Sequence, residues 1–226
     1  KDSPKLAAAL NEFLKSHRQG TLKGNILINR HLRDFNWAEN ALAADDYKRF
    51  QDVAAIFQKY GDQYGFDFLM VAAQGYQESR LDQSARSRAG AIGIMQLLPS
   101  TAADSNVGIK DISKIEPNIH AGVKYLNFIR DRYFSDPEID RFNQTLFAFA
   151  AYNAGPARIR NLRDKADKQG YNPNVWFDNV EVIAAREIGH ETVQYVANIL
   201  KYYIAYRLAF QQVTKRAKVR KSQGID

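Results

Sequence analysis

The chain of 226 residues is 45% hydrophobic and 12% aromatic, enough for one packed domain with an appendage, which excludes disorder as its overall state. Without cysteine it has no disulfide, thiolate metal site or cysteine nucleophile, although cysteine usage leaves the compartment open. A net charge of +7 favours an anionic partner, whether nucleic acid, anionic lipid or cell-wall polymer.

No apolar run reaches transmembrane length and no signal-peptide pattern opens the chain. The start at Lys1 reads as that of a fragment from which a targeting segment would have been lost. The segment KLAAALNEFLKSHRQGTLKGNILINRHL (5–32) carries one amphipathic helix, a turn containing glycine and a short second element. NWAENALAADD (36–46) reads as a linker into the main domain. Tyr47, Phe50, Val53, Phe57 and Tyr60 then step by three or four, predicting a helix that ends near Gly61. From 67 to 79 apolar residues surround the whole cylinder (Leu69, Met70, Val71, Ala72, Ala73, Tyr76), as expected of a central buried helix. Pro117 suits a first turn, and Ile119, Val123 and Leu126 mark a face running to about Tyr133. A further helix spans 140–152; NAGPARI (153–159) interrupts it before a short one. The last long helix starts near His190, with Val193, Val196, Leu200, Ile204 and Leu208 as its apolar stripe. TKRAKVRK (214–221) carries part of the excess charge and reads as a solvated helix end in preference to a binding site; no nucleic-acid motif accompanies it and no nucleic-acid partner is expected.

The organisation is therefore an arm plus linker over 1–44, an all-α domain over 45–212 and a basic tail over 213–226. His17, His31, His120 and His190 lack metal-ligand spacing, so neither a metal nor a cofactor is expected.

Glu78 is the residue that invites chemistry. It closes a mostly apolar helix, where partial desolvation raises a carboxyl pKa and keeps a proton available near neutrality, the state a general acid needs. The plain alternative is that it leaves the helix into water. Ser79 and Ser87 could orient the carboxyl or bond a substrate, GAIG (90–93) lets backbone approach a ligand, and IMQ (94–96) offers an apolar floor with an amide suited to N-acetyl sugars.

ESRLDQSARSRAGAIGIMQLLPSTA (78–102) resembles the signature of the soluble-type lytic murein transglycosylases, relatives of goose-type lysozyme. AFAAYNAGPARIRNL (148–162) and ETVQYVANILKYY (191–203) resemble two further blocks of that family in the same order. The closest subgroup is the membrane-bound lytic transglycosylase F type, in which a solute-binding module precedes the catalytic domain; residues 10–30 resemble the tail of such a module, and PNVWFDNVE (173–181) a connection ahead of the last helix. The resemblance implies a lysozyme-like (goose-type) all-helical catalytic domain with an N-terminal helical arm. It further implies cleavage of the MurNAc-β-1,4-GlcNAc bond without water, to leave 1,6-anhydroMurNAc ends.

Residue by residue, it implies Glu78 as acid and then base, Ser87 on the substrate acetamido group or the glutamate, and Met95 and Gln96 shaping the sugar subsites. It makes Tyr152 the tyrosine that bonds Glu78, with Asn153 beside it, and places Tyr195 along the cleft. Ser79 and Glu191 are supporting residues, Glu191 capping or bracing its helix. Arg80 and Leu81 depart from the aromatic or large apolar pair common in the family. Asp82 lies near but in a loop, so a single acid must suffice, as it can when the substrate supplies its own nucleophile. The expected partners are peptidoglycan strands and muropeptides, in the periplasm, with outer-membrane association through segments absent here and a monomeric chain. A lysozyme-like muramidase using water and a non-catalytic murein-binding module are the alternatives.

Overall fold

Apolar periodicity has to be buried somewhere, and here most of it converges on one helix. The computed structural model of the protein describes residues 4–31 and 43–222. Most of the stretch read as a linker lies outside the described residues; its last positions open a helix. In chain order the main helices are α1 (Pro4–His17), α2 (Leu22–His31), α3 (Ala44–Tyr64), α4 (Phe68–Ser79), α5 (Pro99–Ala103), α6 (Ile115–Tyr133), α7 (Arg141–Ala154), α8 (Pro156–Lys168), α9 (Glu181–Glu187) and α10 (His190–Ser222). Among the described residues there is no β-strand; two isolated antiparallel bridges, Arg86 with Ile92 and Ile92 with Leu97, tighten the loop after α4.

The central helix is α4. Asp67 caps its start by accepting a hydrogen bond from the Leu69 amide at 3.0 Å. Every residue from Leu69 to Tyr76 is buried. α3 lies along one side through Phe50, Val53, Phe57 and Tyr60, and α10 along the other. α3 runs past Gly61 to Tyr64 and stops where Gly65 takes φ +66, a left-handed turn that glycine adopts without a Cβ clash. The fully buried rings of Phe57, Phe147 and Phe149 each contribute about 2–3 kcal/mol from area removed from water.

Three departures from the sequence reading have physical causes. The stripe expected on α10 is rotated. Ile204 and Leu208 are 43% and 54% exposed, while Val193, Val196, Ile199 and Tyr206 are buried. The Tyr206 ring stacks on Phe50 at 4.3 Å and meets Tyr76 edge-on, so aromatic packing against α3 and α4 decides which face turns inward. The segment around PNVWFDNVE is more than a connection: a wide turn at Trp176–Val180, with Asp178 in left-handed geometry (φ +60), drives the Trp176 ring into the core and leads into α9. Asn143 in α7 accepts the Trp176 amide hydrogen at 2.9 Å. Finally, the last helix continues through the boundary drawn at 212/213 to Ser222.

In the arm, α1 turns Leu6, Leu10, Phe13 and Leu14 outward, whereas α2 sets Ile26 into the main core beside α10. A smaller cluster of Leu97, Ala102, Val107, Ile112 and Ala121 anchors the loop between α4 and α6.

Candidate active site

Glu78 occupies the last turn of α4. The chain leaves that helix through two consecutive left-handed residues, Arg80 (φ +54) and Leu81 (φ +60), an uncommon pair for non-glycine residues. The double turn returns the Leu81 side chain to the core, where it is 4% exposed, and leaves Arg80 exposed. The departure from the family pattern noted in the sequence thus falls on a strained corner beside the acid.

The loop that follows folds back over the helix end and is pinned by polar side chains. Ser79 Oγ donates to the Ile94 carbonyl at 3.0 Å and accepts the Asp82 amide hydrogen at 3.1 Å. Asn118, fully buried in α6, accepts from the Met95 amide at 2.8 Å and donates through Nδ2 to the Ile92 carbonyl at 2.9 Å. Gly93 lies against that amide with φ +76; a Cβ there would sit 2.5 Å from Asn118 Nδ2, so only glycine fits. The Met95 side chain is fully buried against Gly122, where a Cβ would approach it to 2.6 Å.

Two tyrosines close on the acid from other helices. Tyr195 of α10 donates its hydroxyl hydrogen to Glu78 Oε1 at 2.5 Å. Tyr152 of α7 gives its hydroxyl hydrogen to the Met95 carbonyl at 2.8 Å, not to Glu78. The resemblance implied that Tyr152 bonds the glutamate and that Tyr195 lines the cleft; in the structure it is Tyr195 that bonds Glu78, and Tyr152 holds the loop. The reason lies in the loop, whose Met95 carbonyl takes the Tyr152 hydroxyl, leaving the carboxyl to α10. Burial pushes the Glu78 carboxyl up to about 7, against the opposing pull of the Tyr195 hydrogen bond. Burial first, and then the nearby Glu78 charge, hold both tyrosine hydroxyls well above their ordinary range, so both are neutral donors.

The other expected residues spread outward from this centre. Gln96, at φ +43, folds its amide onto the Gly93 carbonyl at 2.9 Å and rims the loop. Ser87 is exposed at the outer turn, where its Oγ accepts the Ala91 amide hydrogen at 3.0 Å. Asn153 is exposed and accepts from Thr192 Oγ at 2.7 Å, tying α7 to α10. Glu191 is exposed in the first turn of α10, where a carboxylate favours the positive helix end. The Met95 side chain belongs to the packed core, and its backbone is what faces Tyr152. Asp82 is turned to its own loop, accepting from the amide and hydroxyl of Ser84 at 2.8 and 2.7 Å, which keeps its carboxyl below the ordinary range. Nothing in this geometry makes it a second catalytic carboxylate.

Sequence reasoning missed two residues. Gln74, fully buried on α4 and one turn before Glu78, donates from Nε2 to the Tyr195 hydroxyl at 3.2 Å. Its signal was available, since an amide interrupts an apolar run four residues before the acid. Asn118 had no such signal, because its partners come from a loop more than 20 residues earlier.

A cavity of about 330 Å³ opens beyond Tyr125, whose ring meets Tyr152 edge-on at 5.4 Å; Ser100, Thr101, Asp104 and Phe128 help to line it.

A family model described as "Transglycosylase SLT domain" matches residues 55–175, just over half of the chain. The chain is 38% identical over 170 residues to the membrane-bound lytic murein transglycosylase F of Desulfosudis oleivorans, covering 70% of this chain and 37% of that protein. It is 34% identical over 220 residues to the protein of the same name from Shewanella pealeana, covering 89% and 44%. The chain thus spans less than half the length of either relative. Among solved structures, an inactive mutant of the lytic transglycosylase Slt from Pseudomonas aeruginosa superposes with a TM-score of 0.56 at 24% identity, over 92% of this chain and 34% of that one. The 70 kDa soluble lytic transglycosylase of Escherichia coli gives 0.53 at 22% identity, over 88% and 32%. These two likenesses establish a shared fold.

Proposed function

The chain belongs to the transglycosylase SLT domain family, and from that premise we propose that it cleaves the glycan strands of peptidoglycan by non-hydrolytic transglycosylation, with Glu78 as the single acid and base. The observation that carries this reading is the isolated, partly desolvated Glu78 carboxyl, neutral up to about pH 7 and held by Tyr195, with Asp82 engaged elsewhere. A glycosidase of the two-carboxylate type needs a second carboxylate on the far side of the bond. A reaction whose nucleophile is part of the substrate does not.

In this mechanism neutral Glu78 gives its proton to the glycosidic oxygen as the bond from that oxygen to C1 of N-acetylmuramic acid breaks. The C6 hydroxyl oxygen of the same sugar closes on C1. The Glu78 carboxylate takes the hydroxyl proton and is neutral again, so no water is consumed. Tyr195 stabilises the carboxylate during the interval in which it is charged. Tyr152, through the Met95 carbonyl, and Ser79, through the Ile94 carbonyl, hold the loop at the height that lets a sugar reach the acid. Ser87, Gln96 and Asn153 would meet the substrate along the exposed rim.

The relatives' names support a membrane-bound enzyme acting on murein, and hence a periplasmic or outer-membrane site of action. Among the described residues no helix is long and apolar enough to cross a membrane. Within the chain we assign catalysis to 45–212 and read 1–44 as an arm and linker resembling the tail of a solute-binding module.

The test is digestion of purified sacculi followed by mass spectrometry. Wild-type protein should release muropeptides lighter by one water than their reducing-end counterparts. Glu78→Gln should keep the fold and lose about 10²–10⁴-fold in rate. Wild-type-like turnover by that variant would overturn the assignment. Products with a free reducing end would instead identify a muramidase, and binding without products a non-catalytic module.

A further inference from the structure

Glu78 has two oxygens, and only one of them can present the proton to a substrate. Tyr195 lies on Oε1. A tyrosine hydroxyl carries a single hydrogen, so it donates to Oε1 only if nothing else claims that hydrogen. Gln74 is placed to decide this. It is fully buried, sits one helical turn before Glu78 on the same helix, and directs its Nε2 at the Tyr195 oxygen from 3.2 Å. With the hydroxyl oxygen occupied by an amide donor, its hydrogen has one direction left, toward Glu78.

We infer that Gln74 is a positioning residue that fixes Tyr195 as a donor to Glu78 Oε1, and so assigns the catalytic proton to Oε2. This rests on the reading of Glu78 as the acid. Were the amide reversed, Tyr195 would give its hydrogen to Gln74 and accept one from Glu78. The acid's proton would then point at α10 and away from the sugar. The amide orientation in the structure gives the productive arrangement. A purely structural role is a poor account of an amide here: Val71, Ala72 and Ala73 beside it are apolar and equally buried, Gly75 is buried too, and leucine or methionine would pack in the same helix with no polar atom to satisfy.

The arrangement is a chain of donors, amide to hydroxyl to carboxyl, each polarising the next when the carboxyl is charged. Gln74 therefore acts on Glu78 only through Tyr195. The titratable groups facing Glu78 are Tyr195 from α10 and Tyr152 from α7. On the loop that follows, Arg80 is exposed and Asp82 is turned to Ser84, so neither competes.

The experiment is a double-mutant cycle read by pH. Because the Tyr195 hydrogen bond lowers the Glu78 pKa, weakening that donor should raise it. Gln74→Met should move the alkaline fall of kcat/KM upward by roughly half a pH unit and lower kcat about tenfold with KM little changed. Tyr195→Phe should move the limb at least as far, and adding Gln74→Met to Tyr195→Phe should move it no further. The same shifts should appear in the titration of the ¹³C-labelled Glu78 carboxyl, which needs no substrate. A role confined to packing would lower stability alike in both backgrounds and leave the limb in place. An unmoved limb in Gln74→Met, or an equal shift with and without the tyrosine hydroxyl, would overturn the proposal. In the unmutated protein the Gln74 side-chain amide hydrogens should show nuclear Overhauser contacts to the Tyr195 ring and hydroxyl; their absence would overturn it whatever the variants do. Activity surviving Glu78→Gln would be a different failure, that of the acid itself.

Discussion

Replacing Glu78 by Gln should do more than stop catalysis: it should stabilise the fold at alkaline pH. The carboxyl is raised from an ordinary 4.5 to about 7 by burial. Between those values the folded chain holds a proton that the unfolded chain has released. Stability contributed by this group is therefore full below pH 4.5 and is lost as pH rises through 7. A shift of that size corresponds to about 3 kcal/mol. The glutamine is nearly isosteric, can still accept the Tyr195 hydrogen, and carries no charge to desolvate. The variant should thus match the wild type near pH 4.5 and exceed it by up to ~3 kcal/mol at pH 9, or about 6–12 °C in Tm for a chain of this size. Thermal melts of both proteins at matched ionic strength, followed by circular dichroism from pH 4.5 to 9, give the comparison directly. A gap that stays constant or narrows as pH rises would show that the carboxyl is not held neutral by its surroundings, and the general-acid argument would fall with it.

Other substitutions test the scaffold. Asn118→Ala strips partners from the Met95 amide and the Ile92 carbonyl; denaturant melts should show a loss of about 2–4 kcal/mol, with activity falling further than stability because the loop beside Glu78 loosens. Gly122→Ala places a Cβ 2.6 Å from Met95 and should cost about 1–3 kcal/mol, recovered in part by a smaller residue at 95, as a melting series would show. Arg80→Gly relieves a left-handed, exposed residue and should raise stability by up to ~1 kcal/mol with sacculus digestion unchanged; a loss of stability would mean the arginine side chain matters more than its backbone.

Much of this arrangement is legible in the sequence. Leu69 to Tyr76 had to be buried all round, and Glu78 at the end of that run had to be partly desolvated, because both follow from local pattern. The resemblance singles out both Tyr152 and Tyr195 but gives the bond to Glu78 to Tyr152, where the structure has Tyr195. Which tyrosine reaches the acid depends on where α7 and α10 cross the loop, a matter of tertiary placement that spacing does not encode. The α10 stripe failed for a similar reason: Ile204 and Leu208 fit a helical period, yet the inward face was decided by the rings of Phe50 and Tyr76 waiting on other helices. Trp176 was visible as a bulky residue in a polar stretch, but its burial depends on the amide of Asn143, 33 residues earlier. Gln74 stands out in the sequence as an amide within an apolar run, but its partner Tyr195 lies on another helix, so the run itself speaks only for packing.

The acid and the residue that holds it lie 117 positions apart. Protein synthesis proceeds from the amino end, so the helix bearing Glu78 leaves the ribosome long before the tyrosine of α10 does. Until that last helix packs on α4, residue 78 lacks part of the burial that raises its carboxyl. Burial of the carboxyl by the docked α10, opposed only in part by the Tyr195 hydrogen bond, thus serves as a completion check. A chain truncated before α10 should therefore carry the carboxyl without its raised pKa, a useful property in a protein whose proposed substrate is the wall that keeps the cell intact.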